Sequence, residues 1–149
     1  MLSNLYTIII MAFTQQDTEC MSLALKLSEL GRASVGANPM VGCVITRDDE
    51  IIAQDFHRRY GEGHAEINSL EQINHEANNT SLYVTLEPCS HHGKTPPCAE
   101  ALIKAGVKKV IIAMLDPNPL VSGRGVKMLQ DANIQVEVGL LEDEASELN

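Results

Sequence analysis

The 149-residue sequence contains no tryptophan, two phenylalanines and three tyrosines, so it lacks the aromatic platforms on which single-stranded nucleic acid stacks. It is also short of positive charge: 11 lysines and arginines stand against 20 aspartates and glutamates, a formal net charge of −9. Nucleic acid and anionic lipid are polyanions and would be repelled by that balance. No apolar run approaches the ~20 residues that a spanning helix needs. The segment LYTIIIMAF at positions 5–13 has no lysine or arginine before it, as a secretory signal would. Four cysteines without an export signal read as reduced thiols of a cytoplasmic protein, free for metal or for packing. No repeat, low-complexity tract or Pro/Gly/Ser linker divides the chain. A small molecule remains as the expected partner, with neither nucleic acid nor membrane.

What is present fits one layered α/β domain: 44% of residues are hydrophobic and 21% charged. Residues 1–14 are assigned to an N-terminal extension that need not be ordered, since Met11 begins a second plausible start; a packed extra strand is the rival reading. Residues 15–149 form the domain. Asp17 or Thr18 is expected to cap a first helix in which Leu23, Leu27 and Leu30 recur on one face, closed by Gly31. Met40–Thr46 and Ile51–Phe56 read as a hairpin turning at Arg47-Asp48-Asp49-Glu50. A helix from about His64 to Ile73 and a strand Ser81–Leu86 follow. Thr95 is the expected cap of the next helix, with Gly106 as its stop. The β-branched run Val107–Leu115 reads as a strand buried on both faces. A helix at Gly125–Ala132 and a strand at Ile134–Val138 complete the order. The acidic tail after Leu141 reads as a solvated helix or frayed end. The pattern predicts a three-layer sandwich: about five strands in a mostly parallel mixed sheet, with helices on both faces.

The chemistry concentrates at two strand-to-helix junctions. His64-Ala65-Glu66 is an H-x-E element, and Glu87-Pro88-Cys89 followed by Cys98 is a P-C-x8-C element. One histidine and two cysteines leave a fourth position of a zinc tetrahedron open, which is the catalytic rather than the structural arrangement. Zinc lowers the pKa of its water toward ~7, and Glu66 can carry the protons. Residues two apart on a helix point to nearly opposite sides, so His64 and Glu66 serve one centre only if His64 sits at the very start of its helix. Cys98 is placed in a first helical turn, where the dipole favours thiolate. The bland alternative is a closed structural site with Cys43, His91 or His92 as fourth ligand. Cys20 and Cys43 lie in apolar patterns and read as packing residues. Zinc deaminases share H-x-E…P-C-x-x-C; here eight residues replace two between the cysteines, making room for a substrate-contacting loop.

Taken together, Gly36–Ile45 (GANPMVGCVI), His64-Ala65-Glu66, Val84–His91 (VTLEPCSH) continuing to Cys98, and Asp116-Pro117-Asn118-Pro119 resemble the deaminase domain of the bifunctional riboflavin-biosynthesis deaminase/reductase, within the cytidine-deaminase-like superfamily. The resemblance implies hydrolytic deamination of a phosphorylated diaminopyrimidine to an aminouracil with release of ammonia. It implies a Zn2+ cofactor on His64, Cys89 and Cys98, with Glu66 as the catalytic proton shuttle. It further implies substrate contacts at Asn38, His57, Lys94, Asp116 and Asn118, although Asn38, Asp116 and Asn118 all adjoin prolines and could instead shape turns. Family members usually continue into a reductase domain, which is absent here. The chain is thus expected to be an excised domain or a stand-alone deaminase with its reductase supplied elsewhere, and a homo-oligomer is compatible with it. The rival functions are deamination of another base or nucleotide, and a non-catalytic zinc-stabilised binding module.

Overall fold

The computed structural model describes residues 13–93 and 95–149. The expected N-terminal extension falls outside the described residues except for its last two. Phe13 packs against the core and Thr14 caps the first helix. That helix, α1, spans Gln15–Glu29, and its cap is Thr14 rather than Asp17 or Thr18. Thr14 and Asp17 form a reciprocal capping box: the Thr14 hydroxyl accepts from the Asp17 N–H and the Asp17 carboxylate accepts from the Thr14 N–H.

Strands β1 (Gly42–Arg47) and β2 (Glu50–Phe56) form the expected hairpin. Its two turn residues, Asp48 and Asp49, both take positive φ (52° and 65°), the conformation that matches the twist of a two-residue hairpin turn. Next come α2 (Ala65–Glu71), β3 (Ser81–Val84), α3 (Cys98–Ala105), β4 (Lys109–Ile112), α4 (Arg124–Asp131), β5 (Gln135–Val138) and α5 (Glu142–Leu148). The α3 cap is Pro97, in an extended conformation, and not Thr95; Gly106 stops α3 with a φ of 85°, as expected. The Pro97 φ of −66° is the angle to which the proline ring restricts the backbone.

The sheet order is β2-β1-β3-β4-β5. β1 is antiparallel to both of its neighbours, whereas β3, β4 and β5 are mutually parallel. Four strands therefore run one way and β1 alone runs against them. Side chains alternate between two apolar clusters, as the two-residue period of a strand requires. Cys43, Ile45, Leu82, Val84, Val110 and Ile112 meet α2, α3 and α4 on one face. Val44, Tyr83 and Ile111 meet α1 and α5 on the other.

Two expectations about the second face need correction. The fully buried stripe of α1 is Asp17, Cys20, Met21, Ala24 and Ser28; Leu23 and Leu27 pack half-buried against the same cluster, while Leu30 is 65% exposed. Helix and strand come close at one point: a Cβ on Gly42 would lie 1.8 Å from the Ala24 carbonyl oxygen, so a residue without a Cβ is needed at that crossing. Gly31 follows the Leu30 cap and closes α1 as expected, though without the positive φ that Gly106 takes. It is a buried contact whose Cβ would lie 2.5 Å from the His57 carbonyl. The acidic tail is helical but docked rather than solvated. Ala145 is 1% exposed in the α1 cluster, and the Asn149 side chain brackets Met40, accepting from its N–H at 2.9 Å and donating to its carbonyl at 3.2 Å.

Because β1 is reversed, its beginning lies beside the ends of the other strands: the Gly42 N–H donates to the Thr85 hydroxyl and the Thr85 N–H to the Gly42 carbonyl. One edge of the sheet thereby collects the segments after β2, β3 and β4 and the segment before β1. Carboxyl-end crevices of this kind are where open α/β sheets place their ligands.

Candidate functional site

A cavity of about 310 Å³ opens at this edge, lined by Asn38, His57, His64, Glu66, Glu87, Cys89 and Asp116, among others. A second cavity of about 400 Å³ shares His64, Cys89 and His91 with the first, so the histidine–cysteine cluster stands in the wall between them. The sizes suit a small molecule.

His64 is the N-cap of α2 and Glu66 falls in its first turn, as the two-residue spacing demanded. Cys98 is the first residue of α3, and its N–H donates to the Cys89 Sγ at 3.1 Å. The His64 Nδ1 is 3.2 Å from the Cys98 Sγ and 3.8 Å from the Cys89 Sγ. All three ligand atoms lie within 4.8 Å of one another, and among the described residues no fourth His, Cys, Asp or Glu joins them. Cys43 is buried in the core, and His92 pairs with Glu100 at 3.0 Å. A closed four-ligand site is therefore not formed among these residues. The donor set, one imidazole and two thiols with an open side toward a cavity, fits a zinc ion that keeps a position for a reactant.

Electrostatics favour that use. The hydrogen bond from the Cys98 thiol, and then His64, hold the Cys89 thiol well below its ordinary value, while the same bond, with burial, raises Cys98. The Cys98 N–H at a helix start adds a donor that favours the thiolate form of Cys89. Glu66 is 3% exposed, and burial pushes its carboxyl up to about 7 against the opposing pull of its own backbone N–H and of His64. A carboxyl poised near neutrality is suited to taking and returning protons.

The expected substrate contacts divide. Asn38, His57 and Asp116 line the cavity. His57 is 3% exposed, with Nδ1 at 3.1 Å from the Gly63 carbonyl and Nε2 at 3.2 Å from the Asn38 Nδ2. A carbonyl only accepts, so Nδ1 carries the proton and Nε2 accepts from the Asn38 amide. Both ring nitrogens are then committed within the protein, and His57 reaches the cavity as a brace for Asn38. Asn118 is exposed and is not in the cavity lining. Asp116 and Asn118 both make the turn bonds that their proline neighbours suggest: the Asp116 Oδ1 accepts from the Asn118 N–H and the Asn118 Oδ1 from the Leu120 N–H. Lys94 lies outside the described residues.

Sequence reasoning passed over Glu87 as anything more than a neighbour of Pro88. It is 6% exposed and accepts three backbone N–H groups, from Asp116, Gly123 and Val126. An acidic residue at a strand end with no basic residue nearby in sequence was the available signal.

Comparison with known proteins agrees with this geometry. The family described as the cytidine and deoxycytidylate deaminase zinc-binding region matches residues 14–114. The riboflavin biosynthesis protein RibD of Escherichia coli K12 is 52% identical over 134 residues, covering 90% of this chain and 36% of RibD. A diaminohydroxyphosphoribosylamino-pyrimidine deaminase of Buchnera aphidicola (subsp. Schizaphis graminum) is 48% identical, covering 90% of this chain and 91% of that protein. The solved structure of Acinetobacter baumannii RibD superposes with a TM-score of 0.88 at 52% identity, over 91% of this chain and 38% of that one. The chain therefore spans little more than a third of the RibD relatives but nine-tenths of the Buchnera protein. With its histidine–cysteine cluster, its buried glutamate and these matches, the chain belongs to the cytidine and deoxycytidylate deaminase family of zinc-binding proteins.

Proposed function

We propose that residues 15–149 form a deaminase domain that hydrolyses the phosphoribosylamino-diaminopyrimidine of riboflavin biosynthesis to the corresponding aminouracil and ammonia, in the cytoplasm. The observation that carries the reading is the His64–Cys89–Cys98 cluster with Glu66 buried beside it, in a chain aligned almost end to end with a deaminase named for that pyrimidine. His64, Cys89 and Cys98 would hold the zinc ion. When bound, zinc supplies an activated water at neutral pH.

Glu66 takes the proton released as the water oxygen bonds to the amino-bearing ring carbon and returns it to the ring nitrogen. A second transfer moves the remaining hydroxyl proton to the amino group. The carbon–nitrogen bond then breaks, ammonia leaves, and a ring carbonyl remains. Asn38, held by His57, presents amide groups to the ring or ribose. Asp116 accepts from ring N–H groups. Lys94, on the long loop between the cysteines, meets the phosphate or the ribose as a cation, and Asn118 supports the Asp116 turn. The reductase step would fall to another domain or chain. No described helix is long and apolar enough to cross a membrane, and a net charge of −9 disfavours a nucleic-acid substrate.

The test is ammonia release from the phosphorylated diaminopyrimidine beside cytidine and deoxycytidylate, with metal analysis of the same preparation. The expected result is one zinc per chain and turnover of the diaminopyrimidine. Turnover of only cytidine or deoxycytidylate would overturn the substrate assignment.

A further inference from the structure

Glu87 has no place in the proton chemistry, yet its carboxylate is the most heavily engaged of those lining the cavity. Oε1 accepts from the Asp116 and Gly123 N–H groups, each at 3.0 Å, and Oε2 accepts from the Val126 N–H at 3.1 Å. Two of these donors belong to the open first turn of α4, whose own cap, Gly123, has a φ of 84° and no side chain to offer. The capping group that a helix normally takes from its own sequence comes here from the segment beyond β3. The packing is tight: a Cβ on Gly125 would lie 2.2 Å from the Pro88 carbonyl oxygen and 3.2 Å from the Glu87 Cγ. The third donor, the Asp116 N–H, belongs to no helix. A cap alone would not require it. Glu87 stands two residues before Cys89 and lines the same cavity as Cys89 and Asp116, so its side chain ties the segment that carries one ligand of the cluster to the segment that carries Asp116.

We propose that Glu87 is a positioning residue: it fixes Asp116 and the start of α4 at a set distance from His64, Cys89 and Cys98, and so determines which ring the cavity accepts. The inference rests on the proposed role of Asp116 as a ring contact. A carboxylate is required chemically, because three N–H groups need an acceptor with several lone pairs and no donor of its own. A glutamine would turn an amide N–H toward one of them.

The experiment uses the zinc-loaded full chain and compares Glu87→Ala, Glu87→Gln, Asp116→Ala and the Glu87→Ala/Asp116→Ala double variant. The readouts are kcat and KM for ammonia release, zinc content, and amide hydrogen exchange. Glu87→Ala should raise KM by about tenfold, the scale of effect expected when buried N–H groups lose their acceptor, with a smaller change in kcat and zinc retained. Glu87→Gln should fall between it and the wild type, and it carries the test if Glu87→Ala does not fold. Exchange should quicken at Asp116, Gly123 and Val126 while the amides of β4 stay protected. The double variant should be no worse in KM than Asp116→Ala alone, since both changes act through one contact. Multiplying KM effects, a loss confined to kcat, or unchanged exchange at the three amides would each overturn the proposal. If the wild type turns over a different pyrimidine, the same cycle on that compound judges Glu87, so the two readings fail separately.

Discussion

Replacing Glu66 by glutamine removes the proton carrier while preserving its shape. The side chain is 3% exposed, so an isosteric amide fills the same space and creates no cavity. The structure offers little in substitution. Glu87, the nearest carboxylate along the chain to Cys89, has both oxygens occupied by backbone N–H groups, and Asp116 has one oxygen tied to Asn118. Turnover should therefore fall by the whole of a general acid–base contribution, about 10²–10⁴-fold, equivalent to about 3–5 kcal/mol on the barrier. The three ligand atoms are untouched, so zinc content should stay at one per chain. Metal analysis, ammonia release under saturating substrate and a thermal melt on one preparation decide the matter. A zinc-loaded Glu66→Gln variant that keeps more than about a tenth of wild-type turnover would refute the assignment of Glu66. Loss of zinc together with activity would refute the separation of ligand from proton carrier.

Gly42→Ala would place a Cβ 1.8 Å from the Ala24 carbonyl oxygen; the expected cost of this overpacking is about 1–3 kcal/mol or more, read as a lower Tm in a melt. The Asp55 carboxyl is 4% exposed, and although burial raises it, bonds from Arg58, the Phe56 N–H and Gln72 outweigh burial and hold it below the usual 3.8. Its folded pKa lies below its unfolded one, so the stability it contributes is complete above the unfolded value and is lost as pH falls through the folded value. Arg58→Met should therefore move acid unfolding to higher pH. Arg58 is 57% exposed, so the loss at neutral pH should be no more than about 1 kcal/mol; melts from about pH 7 down to about pH 3 would show it, and an unchanged acid limb would count against the pairing.

Much of this architecture could be read from local sequence. Asp48 and Asp49 tolerate positive φ, Gly106 ends a helix left-handed, and the run around Val110–Ile112 is buried on both faces. The metal cluster was legible because H-x-E and P-C mark strand-to-helix junctions, and those junctions share one edge of the sheet. The misreadings arose where a distant segment decided the matter. Of the α1 leucines that suggested one apolar face, Leu23 and Leu27 do pack against the cluster, but Cys20, Met21 and Ala24 are buried more deeply against the sheet and Leu30 is exposed. Asp17 suggested a cap, whereas it completes the box of Thr14 and accepts the Tyr83 hydroxyl at 2.7 Å. The tail looked solvated because only the fold brings Ala145 to α1 and Asn149 to Met40. The same limit hid Glu87, whose three partners lie 29 to 39 residues further along the chain.

The direction of β1 also carries the hairpin turn to the far rim of the sheet, where none of the described residues belongs to the metal cluster or lines the two cavities beside it. That rim carries the tight turns, with Asp48, Asp49, Asn74, His75, Asn79 and Asn133 all in the left-handed region. The hairpin turn is separated from the pocket by the length of β1, six residues or roughly 20 Å. A fluorophore, an affinity handle or a surface tether grafted between Asp48 and Asp49 would thus sit a whole strand away from the reacting atoms. The domain could be immobilised by its back while its working edge stays open to solution.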